Sequence, residues 1–486
     1  MDKFKKFFKT SAEKTGGFFK SLFVSTDESE AKLLTFYKKD GTKSVISSIL
    51  CILAGIFVGF IVMLIIAAAS EDITIGDAFY GLGIIFAGPF ASGTSQYVVT
   101  NLGDMIFYSV PLILCGLSVA IAFKTGLFNI GASGQFLMGT MGSLLVALNI
   151  PASNSASGFF IWMFAIIVGA AFGFCWGALP GLFKALFNVN EVIVCIMTNW
   201  IAANIVTWVF SEMPALVNSG SGKSGYLITT ATTGTGTPKI GLDKLFPGSY
   251  IDFGIIIAIV LAIVVLIVLN RTTFGYELKA CGNNKYSAKY AGMNEKRNIV
   301  ISMAIAGALA GIAGSLYYLN PGIEFNFSAA YSKLPDYGFN GIPVALLASN
   351  NPIGVIFAGL FMRYIAQGGD NLTSANYNRY IADIIIALII YFAGFSKLIR
   401  DFLSRRRKVK EKQAVESAVK EESKKERNFL GKIEDFFNAI LDKMKIKTKK
   451  TAVPKPEAQE SVAESVVETV KEETDSSPVN TDKKEV

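Results

Sequence analysis

The chain contains no histidine. That removes the commonest metal ligand and the usual proton shuttle near neutral pH. Cysteine is sparse: Cys51, Cys115, Cys175 and Cys195 lie in apolar runs and Cys281 in a basic segment. None has an extracytoplasmic partner, so no disulfide is expected. Charge is low at 17% of residues, against about 25% in soluble domains. No acid–base pair, metal-ligand cluster or nucleophile–base set emerges, so the chain does not read as an enzyme. The segment Gly220-Ser221-Gly222-Lys223-Ser224 imitates the end of a phosphate-binding loop. The full pattern needs a glycine five residues before the Gly-Lys pair, and Val217 stands there.

What is abundant is apolar: 51% of 486 residues, with mean hydropathy +0.44. The apolar residues gather into runs long enough to cross a bilayer, which needs about 20 residues. The fold class is therefore all-α, a polytopic membrane protein of about ten crossings. The runs are Val45–Ala69, Asp104–Phe123, Gly126–Ile150, Phe159–Phe183, Val192–Phe210, Ile251–Leu269, Ile299–Leu319, Tyr337–Ser349, Pro352–Gln367 and Arg379–Ile399. The eighth reaches only about 20 Å across a core near 30 Å, so it and the ninth read either as spans that rely on their neighbours or as one re-entrant hairpin. Residues 70–103 are placed outside, with a short interfacial helix over the weakly apolar Ala78–Phe90. Lysine and arginine cluster near alternate run ends, from Lys43 through Lys124, Lys184 and Arg271 to Lys408. The positive-inside rule then puts both termini in the cytoplasm.

Three regions follow. Residues 1–44 are basic with interleaved phenylalanines, the pattern of a helix on an anionic membrane surface. Residues 45–399 form the membrane domain. Residues 400–486 form a charged cytoplasmic tail, in which 428–447 has the apolar spacing of an amphipathic helix and the remainder the composition of disorder.

The polar island at 270–297 separates two long apolar runs and belongs in the cytoplasm. Glycines divide it into two short helical segments, Glu277–Ala280 and Lys285–Ala291, that present a shaped surface. Among membrane carboxylates, Glu191 follows Asn190 at a helix start, and Asp383 lies one turn after Arg379. An ionisable group in a span is a functional suspect, but capping and local pairing account for these two. Amides inside spans are more informative: Asn129, Gln135, Asn199, Asn204 and Asn340. They read either as a midplane substrate path through glycine-interrupted helices or as hydrogen-bonded glue between helices.

Four blocks carry a resemblance. Gly126–Gly139 (GLFNIGASGQFLMG), Asn190–Trp200 (NEVIVCIMTNW), Phe274–Gly314 and Gly338–Val355 (GFNGIPVALLASNNPIGV) are similar to permease subunits of bacterial ABC importers of the ribose/branched-chain amino-acid type. The nucleoside branch resembles them most, with simple sugars next. Ser133 stands where that branch is expected to carry an acid, and the tail and the Phe/Lys N-terminus lie beyond the family core.

The resemblance implies a multi-pass subunit of the bacterial plasma membrane that moves substrate while ATP and Mg²⁺ are bound by a separate ATPase. The chain itself would hold no cofactor, metal or nucleic acid. Partners implied are the cytoplasmic ABC ATPase, a second permease copy or paralogue, an extracytoplasmic substrate-binding lipoprotein, and membrane lipids. Asn129, Gln135, Asn199 and Asn340 are the expected pathway residues. Glu277, Ala280, Gly282, Asn284, Ala288, Tyr290, Ala291 and Gly292 are the expected ATPase-coupling surface.

Overall fold

A computed structural model describes residues 40–91, 94–213, 216, 235–327, 333–378, 380–395 and 398–399. The N-terminal phenylalanine stripe, the imitation phosphate loop, Arg379 and the amphipathic segment 428–447 lie outside the described residues. Every regular element among the described residues is helical.

In chain order the helices are α1 (Asp40–Ala69), α2 (Ile75–Ala87), α3 (Ser95–Lys124), α4 (Ala132–Asn149), α5 (Ser155–Phe187), α6 (Glu191–Ser211), α7 (Leu242–Leu245) and α8 (Gly254–Arg271). There follow α9 (Thr273–Asn283), α10 (Lys285–Tyr290), α11 (Glu295–Tyr318), α12 (Asp336–Leu347), α13 (Pro352–Asp370) and α14 (Tyr380–Ala393). Among the described residues six helices, α1, α3, α5, α6, α8 and α11, are long and apolar enough to cross a membrane.

Two expected boundaries need correction. The third run does not start a helix at Gly126. Residues 126–131 form a turn, and α4 begins at Ala132. Gly126 sits at φ +75°, a left-handed conformation that glycine adopts without strain. Hydropathy cannot separate an apolar turn from an apolar helix. The first segment of the polar island is also longer than expected, because Thr272 caps it by accepting from the Gly275 N–H at 3.1 Å. The outer segment does hold a helix, α2, capped reciprocally by Thr74 and Asp77.

Helix α11 is central and packs against α3, α4 and α5. The closest contact is made by glycines spaced four apart, which fall on one helix face. Gly169, Gly173 and Gly177 of α5 meet Gly307 and Gly311 of α11, with Gly139 of α4 beside them. A Cβ on Gly177 would lie 2.8 Å from the Gly307 Cα, and one on Gly311 3.0 Å from the Gly173 Cα. In lipid, helices gain little from apolar burial alone, so this close backbone approach is the means of association.

The end of α11 remote from the polar island is closed by polar links. The Asn320 amide donates to the Tyr250 carbonyl and to the Asp252 carboxylate, each at 2.7 Å. The Tyr250 N–H donates to Asp104 of α3 at 2.8 Å. These bonds join α3, the entry to α8 and the exit from α11.

Candidate functional site

Aromatic residues from separate helices converge at that same end of α11. Tyr317 and Tyr318 occupy its last turn, Tyr337 begins α12, Phe136 comes from α4 and Phe325 from the following loop. The Tyr317 and Tyr337 ring centroids are 4.8 Å apart, as are those of Tyr318 and Phe325. Phe136 stacks on Tyr337 at 6.0 Å and 23°. Edge and offset contacts of this kind fix ring positions.

Tyr317, Tyr318, Phe325 and Tyr337 border a cavity of about 730 Å³ between α3, α4, α11, α12, α13 and α14, with Phe136 behind Tyr337. Its polar wall includes Glu324, Asn326, Asp336, Asn340, Arg363 and Asp383. Lys333 and Asp336 pair at 2.8 Å at the rim, and the Asp336 carboxylate raises the Lys333 pKa through that hydrogen bond and through its charge. Arg363 donates to Gln367 at 2.7 Å and to Asp370 at 3.1 Å, while its guanidinium lies 4.7 Å from the Tyr108 ring centroid. The cavity thus offers flat apolar faces, an amide, carboxylates and a guanidinium.

Of the four expected pathway residues, only Asn340 lines this cavity. Asn129 is fully buried; its amide donates to the Gln135 carbonyl oxygen at 2.8 Å and to Ser118 at 3.1 Å, and Gln135 donates back at 3.1 Å. Asn199 accepts from the Gly134 N–H at 2.8 Å and donates to the Ile130 carbonyl at 3.1 Å. These three amides hold the 126–131 turn against α3 and α6 and do not face the cavity. Asn204 donates to the Trp200 carbonyl at 2.8 Å on its own helix. Ser133 donates to the Pro335 carbonyl at 2.8 Å, and Gly338 packs so closely on Ser133 that a Cβ at Gly338 would overlap its backbone.

This geometry has a measurable consequence. Asn129→Leu should destabilise the detergent-purified chain by about 1–3 kcal/mol, because Gln135 is left unpaired in an apolar interior. Pairing it with Gln135→Leu should recover most of the loss. A thermal melt of the single and double variants checks this, and equal additive losses would contradict it.

The polar island folds back on its own membrane domain. Gly275 meets the backbone of Val268 and Leu269, and Gly282 meets the Lys124 carbonyl and the Gly126 amide. Leu278, Cys281 and Ala288 are buried. Glu277 accepts from the Asn298 amide at 2.9 Å. Asn284 caps α10 by accepting from the Tyr286 and Ser287 N–H groups at 2.9 and 3.1 Å. Ala288 is therefore turned inward, and the half-buried Gly282 and Glu277 also help to seat the island on the helices beneath. Ala280 is half-buried, whereas Ala291 and Gly292 face outward, Gly292 at φ +81°. The outward relief is aromatic: Tyr290 is 94% exposed, and Tyr276 and Tyr286 are exposed with it. Tyr276 and Tyr286 were missed in the sequence, where a tyrosine in a polar loop carries no mark of the side it faces.

Glu191 opens α6 and forms an ion pair with Lys184 at 3.0 Å, while Asn190 caps the helix by accepting from the Val192 N–H at 2.9 Å. Asp383 lines the aromatic cavity; its expected pair with Arg379 falls on a residue outside the described ones.

Residues 101–394 match the family described as branched-chain amino acid transport system / permease component. The chain is 33% identical over 363 residues to the guanosine ABC transporter permease protein of Bacillus subtilis, covering 74% of this chain and 96% of that one. It is 32% identical over 377 residues to a nucleoside ABC transporter permease protein of Lactococcus lactis, covering 77% and 97%. It is 28% identical over 359 residues to a glucose ABC transporter permease protein of Haloferax volcanii, covering 73% and 88%. No solved structure matches significantly.

Proposed function

The chain belongs to the family of branched-chain amino acid transport system permease components, and from that membership we propose that it forms the membrane path of an ATP-driven importer of nucleosides. It is a multi-pass translocation subunit of the bacterial plasma membrane, not itself an enzyme. The observation that carries the substrate class is the aromatic cavity at the outer end of α11. A nucleobase has a flat π-face that stacks on tyrosine, and its ribose has hydroxyls that amides and carboxylates bind. Tyr317 and Tyr337 supply the faces. Asn340 and Asp336 supply partners for hydroxyls and base edges.

Tyr276, Tyr286 and Tyr290 form the relief that docks in a cleft of a cytoplasmic ATPase, which holds ATP and Mg²⁺. Because α9 is wedged on the Lys124–Gly126 backbone through Gly282, a push on this relief reaches α3 and α4 directly. A second permease, copy or paralogue, completes the path, and an extracytoplasmic binding protein delivers substrate.

Tyr290→Ala should reduce ATP-driven uptake at least tenfold, the effect of losing an interfacial anchor, with the amount of membrane-inserted chain unchanged. Uptake assays beside immunoblots of membranes check this, and undiminished uptake would remove Tyr290 from the docking surface. The substrate class is tested by competition. Excess unlabelled guanosine or uridine should suppress uptake of labelled adenosine, while ribose and glucose should not. A simple sugar is the second reading, supported by the relative named for glucose; suppression by sugar alone would establish it.

A further inference from the structure

A second, smaller cavity of about 280 Å³ lies at the other end of the molecule, beside the polar island. It is lined by Lys184 at the end of α5, Lys285 and Lys289 of α10, and Lys296 in the first turn of α11. Glu295 also lines it, and Glu191 pairs with Lys184, so four lysines face two carboxylates. The positive end of the α11 dipole adds to the same field. Tyr286 of the proposed docking relief forms one wall, but the transport scheme gives these lysines no part.

Its surroundings identify the anion. Leu186 forms part of the wall. Next to it on α5 the exposed Phe183 and Phe187 rings lie 5.8 Å apart, tilted at 43°, Phe187 with 69% of its surface free. An apolar strip therefore runs along the membrane face of α5 and ends at a basic cavity. The cavity lies at the end that the positive-inside rule assigns to the cytoplasm, where the leaflet is anionic. We propose that the cavity binds the phosphate headgroup of an anionic phospholipid whose acyl chain lies along Phe183 and Phe187. One phosphate bridging Lys184, Lys289 and Lys296 ties α10 to the ends of α5 and α11, and so stiffens the island that the ATPase pushes.

The test uses the full chain in nanodiscs of phosphatidylcholine mixed with phosphatidylglycerol, with the lipids retained after detergent extraction measured by mass spectrometry. The wild type should retain phosphatidylglycerol selectively. The K285Q/K289Q/K296Q variant should lose that selectivity on the order of a hundredfold, from three lysines near an anionic surface. The charge-matched R271Q/K279Q/R297Q variant should keep it. Phe187→Ser, which alters no charge, should weaken retention several-fold. Equal losses in the two charge variants would reduce the site to general surface charge and overturn it. Displacement of the lipid by inorganic phosphate would assign the cavity to a soluble anion and overturn the lipid assignment. The readout does not involve transport, so its failure leaves the importer reading intact.

Discussion

Gly311→Val should leave almost no folded protein. The added side chain would project into the Gly169 carbonyl, 2.5 Å from a Cβ at this position, and the Gly173 Cα. Neither neighbour is a side chain that can turn aside; both are backbone of α5. Overpacking usually costs about 1–3 kcal/mol, and more where backbone blocks relaxation. Helices in a bilayer have little apolar driving force to offset the separation. The melting midpoint of any purified variant should fall by on the order of 10 °C, from about 3 kcal/mol at a few degrees per kcal/mol. Gly83→Ala is the control, because a Cβ there meets nothing within 4 Å. Size-exclusion profiles and thermal melts compare the two. A Gly311→Val protein as stable as wild type would mean that α5 and α11 do not meet through these glycines.

The largest effect on transport should come from Tyr337→Ala. Tyr337 stands between Tyr317 at 4.8 Å and Phe136 at 6.0 Å and lines the cavity. Removing a ring that stacks on a base costs about 1–3 kcal/mol, which is roughly a tenfold to hundredfold rise in half-saturating nucleoside. Tyr337→Phe keeps the face and should stay close to wild type. Because a cavity could also collapse, thermal melts accompany the uptake curves. Unchanged half-saturation in a stable Tyr337→Ala protein would separate the cavity from the substrate.

Much of the fold was legible because lipid imposes long apolar runs, and each expected run has a helix within it. The turn at 126–131 was not, since its residues are as apolar as the helix it precedes and only the left-handed Gly126 distinguishes it. The α5 glycine repeat was present in the sequence, yet its meaning depends on Gly307 and Gly311 more than a hundred residues away. The site was less legible. An amide in a span marks a polar contact without naming the partner. Asn129 finds Gln135, and Asn199 finds the Gly134 amide, both inside the protein. Gly282 was expected on the ATPase-coupling surface, and what it approaches in the structure is the chain's own Lys124–Gly126 backbone. Tyr317, Tyr337 and Phe136 come from three helices, and only the packing around α11 makes them neighbours.

The most direct measurement of the central claim is uptake of radiolabelled nucleoside into cells with and without this chain, after ATP depletion with the ion gradients clamped. The expected result is that uptake disappears on deletion of the chain and again on ATP depletion, with the gradients intact. Uptake that survives ATP depletion and falls with the ion gradient would contradict it.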